Sequence, residues 1–165
     1  MGREVRMVPA DWQHPKENGV FRPLFPGEMY EERARNFTEM AASKGLQEAI
    51  DWHGSAPDLN DYMPNWPQSE RTHYMMYEDT TEGTPISPAF QTPEELARWL
   101  ADNGASSFGR RTASYEDWLN IAKGEYAIGA VYTPETGLIS GVEFSQTHKL
   151  GREPVNDAPK VEVTK

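Results

Sequence analysis

Residues 74–109 read YMMYEDTTEGTPISPAFQTPEELARWLADNGASSFG, and the whole fold class can be argued outward from them. Thr72 to Glu78 combines Thr and Tyr between turn formers, the composition of a β-strand. The next six residues, Thr80-Thr81-Glu82-Gly83-Thr84-Pro85, are turn material. Pro85 and Pro88 then hold Ile86–Phe90 extended. Thr92 reads as a helix N-cap, because Pro93 fills the first helical position and Glu95 stands where it closes a capping box. Leu96, Trp99 and Leu100 form one apolar stripe at helical spacing, and Gly104 ends the helix.

Downstream, the loop NGASSFGRRTA (103–113) leads to a helix over Tyr115–Lys123. Ser114 is its N-cap, Trp118, Leu119 and Ala122 its apolar face, and Gly124 its terminating glycine. Tyr126–Tyr132 and Leu138–Phe144 read as two strands of a hairpin around Thr133–Gly137. Gly129 and Gly141 inside them mark bulges or close backbone approach. Ser145–Lys165 is polar and carries Pro154 and Pro159.

Upstream, Glu28–Lys44 shows one helical face in Met29/Tyr30, Arg33/Ala34, Phe37, Met40/Ala41 and Lys44, with Gly45 as C-terminal cap. A second short helix, Leu46–Trp52, stops at His53-Gly54, and Ser55–Ser69 is an irregular connection in which Met63 and Trp66 pack. Glu4–Val8 is a short strand ended by Pro9. Residues 11–27 form an extended arm in which Asn18-Gly19 is a tight turn and Pro23 and Pro26 exclude helix. Trp12, Phe21, Leu24 and Phe25 are its anchors.

These readings give a single α+β domain over residues 1–145, with 1–27 as an arm packed on it and 146–165 as a loosely held polar tail. The expected architecture is a small antiparallel sheet of about three to five short strands with about three to four helices packed on one side. Strands in separated groups around a block of helices do not make a βαβ alternation.

Composition narrows the function classes. The 165 residues are long enough for one buried core, and five Trp, seven Tyr and six Phe supply its apolar area. With no Cys, disulfides, thiolate nucleophiles and cysteine zinc sites are excluded. No stretch reaches the roughly 18 apolar residues of a membrane span, and MGREVRMVPADW has no signal-type apolar run, so the expected setting is cytoplasmic. His14, His53, His73 and His148 are scattered, and no HExxH or GxSxG motif and no pair of Glu-x-x-His motifs on facing helices occurs. Asp58, Asn60 and Asp61 lack the glycine and distal glutamate of a calcium loop. No metal, cofactor or catalytic residue is therefore assigned.

The net charge of −10 is concentrated. Residues 28–82 hold 12 acidic and 4 basic side chains, a net of −8. Such a field repels nucleic acid and attracts a basic protein surface, which makes Glu28, Glu31, Glu32, Glu39, Asp58 and Asp61 the candidate partner surface. A candidate anion or ligand site is drawn from Ser106, Ser107, Arg110 and Arg111 ahead of a helix N-terminus, with Trp12 and Trp66 as stacking partners and Trp99 as a further aromatic.

VRMVPADWQHPKENGVFRPLF (5–25), the stretch from Tyr77 to Gly109 and SYEDWL (114–119) together resemble a family of small uncharacterised proteins encoded by tailed bacteriophages and prophages. The resemblance covers most of residues 3–124. It implies expression in the cytoplasm of an infected or lysogenic bacterium, and it carries no activity or site residues. By analogy with other small acidic phage proteins, it points to a non-catalytic binding protein that modulates or inhibits a host protein, including one of antiphage defence. The partner expected from charge is a basic, nucleic-acid-handling host protein. The alternatives are sequestration of a nucleotide-like small molecule in the aromatic and arginine pocket, and an enzyme with a site assembled only in space.

Overall fold

The computed structural model describes residues 2–79, 83–124, 130–134 and 137–147. In chain order its elements are β1 (Arg3–Val8), β2 (Lys16–Glu17), β3 (Val20–Phe21), α1 (Met29–Lys44), α2 (Leu46–His53), β4 (His73–Glu78), β5 (Thr84–Pro85), α3 (Pro93–Asp102), α4 (Tyr115–Ala122), β6 (Ala130–Thr133), β7 (Gly137–Ser140) and α5 (Gly141–Thr147). A single 3₁₀ turn, Leu59–Asp61, lies between α2 and β4. The architecture is α+β. Its strands are shared among three antiparallel sheets, β1-β4-β5, β2-β3 and β6-β7, rather than gathered in one.

The β1–β4 ladder runs from Arg3 opposite Glu78 to Val8 opposite His73, and it separates two cores. Strand side chains alternate between faces. Val5 and Met76 therefore share one face, where α3, α4 and α5 pack through Leu96, Ala97, Leu100, Trp118, Ile121, Ala122 and Val142. Val8, Met75 and Tyr77 share the other, where Leu24 and Met63 close a second core flanked by Trp12 and Trp66. Helices α3, α4 and α5 cover one face, and the N-terminal arm with Met63 and Trp66 covers the other. The arm is held in its fold by the two-residue β2–β3 turn, in which Asn18 and Gly19 adopt φ of 51° and 84°, the double positive φ that hairpin twist requires.

Local chemistry sets the helix starts. Thr92 accepts from the Glu95 amide while the Glu95 carboxylate accepts from the Thr92 amide, and Ser114 with Asp117 repeats the arrangement. A third box changes the expected end of the fold. Ser140 Oγ accepts from the Glu143 amide at 3.2 Å, and the Glu143 carboxylate accepts from the Ser140 amide at 3.0 Å. Strand β7 therefore stops at Ser140, and residues 141–147 form a helix where a strand to Phe144 is expected from composition. Burial of Val142 in the first core favours the helical course. The expected strand residues 126–129 and the tail beyond 147 lie outside the described residues.

Candidate functional site

The helices α1 and α2 pack mainly on each other, and of their side chains only Phe37 and Ala49 are buried. A small anchor joins them to the body. Arg33 stacks over Phe25 at 4.2 Å, and Tyr30 and Phe25 meet Tyr62 at ring distances of 5.2 and 5.4 Å. What the helices do not bury is the informative part. Leu46, Ile50 and Leu59 are exposed, and Trp52 keeps 77% of its surface in solvent. Leu46 and Ile50 share a face at i, i+4 spacing.

The candidate acidic residues lie on α1 and in the connection that follows α2. At about 100° per residue, Glu28, Glu31, Glu32 and Glu39 fall within one stripe of α1 opposite Phe37, with Arg35 the basic residue among them. All four glutamates are exposed, and no hydrogen bond or ion pair links their carboxylates to another described residue. Asp58 and Asp61 are placed differently. Asp58 accepts from the Asn60 amide at 2.9 Å and caps the 3₁₀ turn, and Asp61 pairs with Arg22 at 2.8 Å. These two carboxylates border a cleft of about 430 Å³ that reaches from Phe25 and Tyr62 to Trp52 and His53.

The residues of the candidate anion site are brought to two places. Trp12 and Trp66 meet edge to face at 4.7 Å on the arm side of the sheet. Ser106 lies on the helical side, where the buried Arg3 donates to its carbonyl at 2.8 Å and to its hydroxyl at 3.3 Å. Both serine hydroxyls close the loop itself: Ser106 donates to the Gly109 carbonyl at 2.7 Å and Ser107 to the Arg111 carbonyl at 3.2 Å. Arg110 and Arg111 are exposed. Trp99 packs near Phe90 against the first core. The loop hydroxyls are thus engaged, and Trp12 and Trp66 stand across β1–β4 from the 103–113 loop, while Trp99 shares the side of the loop.

One buried polar cluster has the residue types of catalysis. His14 Nε2 donates to the Arg22 carbonyl at 2.6 Å, which leaves Nδ1 to accept from the Tyr77 hydroxyl at 3.2 Å. Trp12 donates its indole N–H to the same hydroxyl at 3.2 Å. Burial lowers the His14 pKa from 6.5 and pushes the Tyr77 phenol up to about 12. Both groups are neutral and enclosed, so the cluster locks the arm to the sheet. Among the described residues, no group of three or more His, Asp and Glu is arranged to hold a metal ion, and no helix is long and apolar enough to cross a membrane.

Sequence reasoning singled out the acidic residues and missed the exposed apolar residues of α2. A period of three to four shows that Leu46 and Ile50 share a face, but it does not show whether another element covers that face. Comparisons with protein-family models, with curated proteins and with solved structures find no match to this chain.

Proposed function

We propose that the chain is a non-catalytic binding protein that grips a basic partner protein with its α1–α2 hairpin. The observation that carries this reading is that one helical hairpin exposes Leu46, Ile50 and Trp52 and also carries Glu28, Glu31, Glu32 and Glu39, whose carboxylates are exposed and unpaired among the described residues. Several large apolar side chains left exposed on one hairpin that also carries unpaired charge are a feature of interaction surfaces. The division of labour follows from the physics. Carboxylates speed encounter with a basic surface and reject acidic ones, and a desolvated tryptophan supplies most of the holding energy.

In the setting that the phage resemblance implies, the partner is a host protein whose basic surface handles nucleic acid, and occupying that surface inhibits it. Sequestration of a nucleotide-like ligand has less support, because Trp12 and Trp66 lie across the sheet from the 103–113 loop that carries Arg110 and Arg111.

The test is capture of partners from a susceptible bacterial lysate by the intact chain, followed by binding measurements on the protein captured. Trp52→Ala should leave the melting temperature unchanged and weaken binding by about 10- to 100-fold. A joint Glu28→Gln, Glu31→Gln, Glu32→Gln, Glu39→Gln variant should slow association and flatten the salt dependence. Salt-independent affinity, or full affinity in Trp52→Ala, would overturn the proposal.

A further inference from the structure

The strand β1 forms the outer edge of its sheet, and its hydrogen-bonding parity is fixed by two bonds. Asp79 donates its amide to the Gly2 carbonyl at 3.3 Å, and Thr72 donates to the Val8 carbonyl at 3.1 Å. Even-numbered residues of the strand therefore turn their main-chain groups toward β4, and Arg3, Val5 and Met7 turn theirs outward. On the far side of β4 the same alternation appears, with Met76 accepting from Ile86 and Tyr74 exchanging both bonds with Phe90. Among the described residues, none pairs with the outward edge of β1.

That edge opens into a cleft of about 250 Å³. Four consecutive residues of the strand, 4–7, line one side, and the opposite wall carries Glu28, Met63, Trp66 and Arg71. Soluble proteins cover, shorten or charge their edge strands, because a bare edge templates another strand. Here the edge is six residues long and opens into a cleft rather than being covered.

We infer that this groove binds an extended segment of a partner protein, which adds to β1 as a further strand. The main-chain groups of Val5 and Met7 supply its hydrogen bonds, the strand-addition mode of peptide recognition. The side-chain chemistry selects an alternating segment. On one face the added strand adjoins the apolar Val5 and Met7. On the other it adjoins Glu4, which Arg6 already occupies, and Glu28, whose exposed carboxylate has no partner among the described residues. Arg71 on the wall donates to the Trp66 carbonyl at 2.9 Å and to the Asn65 side chain at 2.6 Å. Glu28 is therefore the charged group of the groove left without a hydrogen bond among the described residues, and an apolar side chain on the first face and a basic one on the second complement it. Glu28 also belongs to the acidic stripe of α1, but the β1 edge and its cleft do not depend on that stripe binding a partner.

The experiment uses the full chain and a synthetic heptapeptide of alternating lysine and valine with blocked ends. Amide exchange read by NMR should slow by about tenfold or more at Val5 and Met7 when the peptide saturates, while the exchange of α3 stays unchanged. Val5→Pro removes one outward N–H and no bond to β4, a substitution that edge strands accommodate, so it should lower peptide affinity about tenfold with the fold retained. Should that variant not fold, the peptide carries the test instead: N-methylation of one alternating set of its amides abolishes binding and of the other set does not. Three results overturn the inference. The first is no saturable binding, and the second is binding without protection at Val5 and Met7 or with equal tolerance of both methylated sets. The third is protection that rises with protein concentration alone, which assigns the edge to a second copy of the chain.

Discussion

His14 and Tyr77 share a hydrogen bond of 3.2 Å that joins the N-terminal arm to the central sheet, and each group is enclosed in its neutral form. His14 resists protonation relative to an unfolded chain, where its pKa is 6.5. As pH falls below that value, unfolded molecules take up a proton first, so stability declines until pH passes the lower folded pKa. Tyr77 sets the opposite limb. Its phenol holds its proton up to about 12 against 10.0 in the unfolded chain, so stability also declines as pH rises from about 10 toward 12. Urea unfolding across pH should show a plateau between these limbs. His14→Gln should flatten the acid limb and Tyr77→Phe the alkaline one. A wild-type acid slope that survives in His14→Gln would remove His14 from the account.

Tyr77→Phe also has a cost at neutral pH. The hydroxyl accepts from Trp12 and donates to His14, so its removal leaves a buried ring nitrogen without a donor and an indole N–H without an acceptor. A buried polar group left unpaired costs about 1–3 kcal/mol. The half-buried Trp12 can recover part of this from water and the buried His14 cannot. We expect a loss of about 2 kcal/mol in urea unfolding at neutral pH, with the arm more readily cut by protease than α3. An unchanged midpoint would show that the arm is held by apolar contact alone.

Gly83 tests the docking of the arm from the other direction. Its φ of +49° is left-handed, and a Cβ there would run into the carbonyl of Leu24, a buried residue of the second core. Gly109 has a similar φ of +58° with open space around it. Gly109→Ala should cost about 1 kcal/mol, the backbone penalty alone. Gly83→Ala adds a clash with main chain that cannot rotate away, so it should cost about 1–3 kcal/mol beyond that. Equal losses in thermal unfolding would mean that Leu24 moves freely, against the packing seen here.

The parts legible in the sequence are those fixed by neighbours a few residues apart. Thr92 with Glu95, Ser114 with Asp117 and Asn18 with Gly19 each satisfy or bend nearby backbone, so their structures follow from spacing. The sidedness of the sheet was not legible, because β1 reads Arg-Glu-Val-Arg-Met-Val and buries Arg3. That burial depends on Ser106, 103 positions away, whose carbonyl and hydroxyl accept from the guanidinium. The same long-range bonds occupy a serine that loop composition marks as an anion ligand. The exposed Trp52 was illegible for a related reason: amphipathic spacing states what a helix could bury, and only the tertiary structure states what it does bury.

Ser140 decides where the last strand becomes a helix, and local and tertiary preferences meet at it. Leu138 and Ile139 favour a strand, yet Ser140-Gly-Val-Glu143 has the spacing of a capping box, and both of its reciprocal bonds are formed. The helix α5 has only seven residues, too few to hold itself together in water, so it relies on the cap and on Val142 in the first core. Ser140 is also fully buried, so its loss removes a cap and leaves the Glu143 carboxylate short of one donor. Ser140→Ala should therefore cost about 1–2 kcal/mol, against about 1 kcal/mol for the exposed-side cap in Thr92→Ala. Amide exchange separates the two: Ser140→Ala should speed exchange across 141–147 and leave α3 protected, and Thr92→Ala should do the reverse. Uniform acceleration in both variants would mean that the caps act only through global stability, and that α5 does not open as a separate unit.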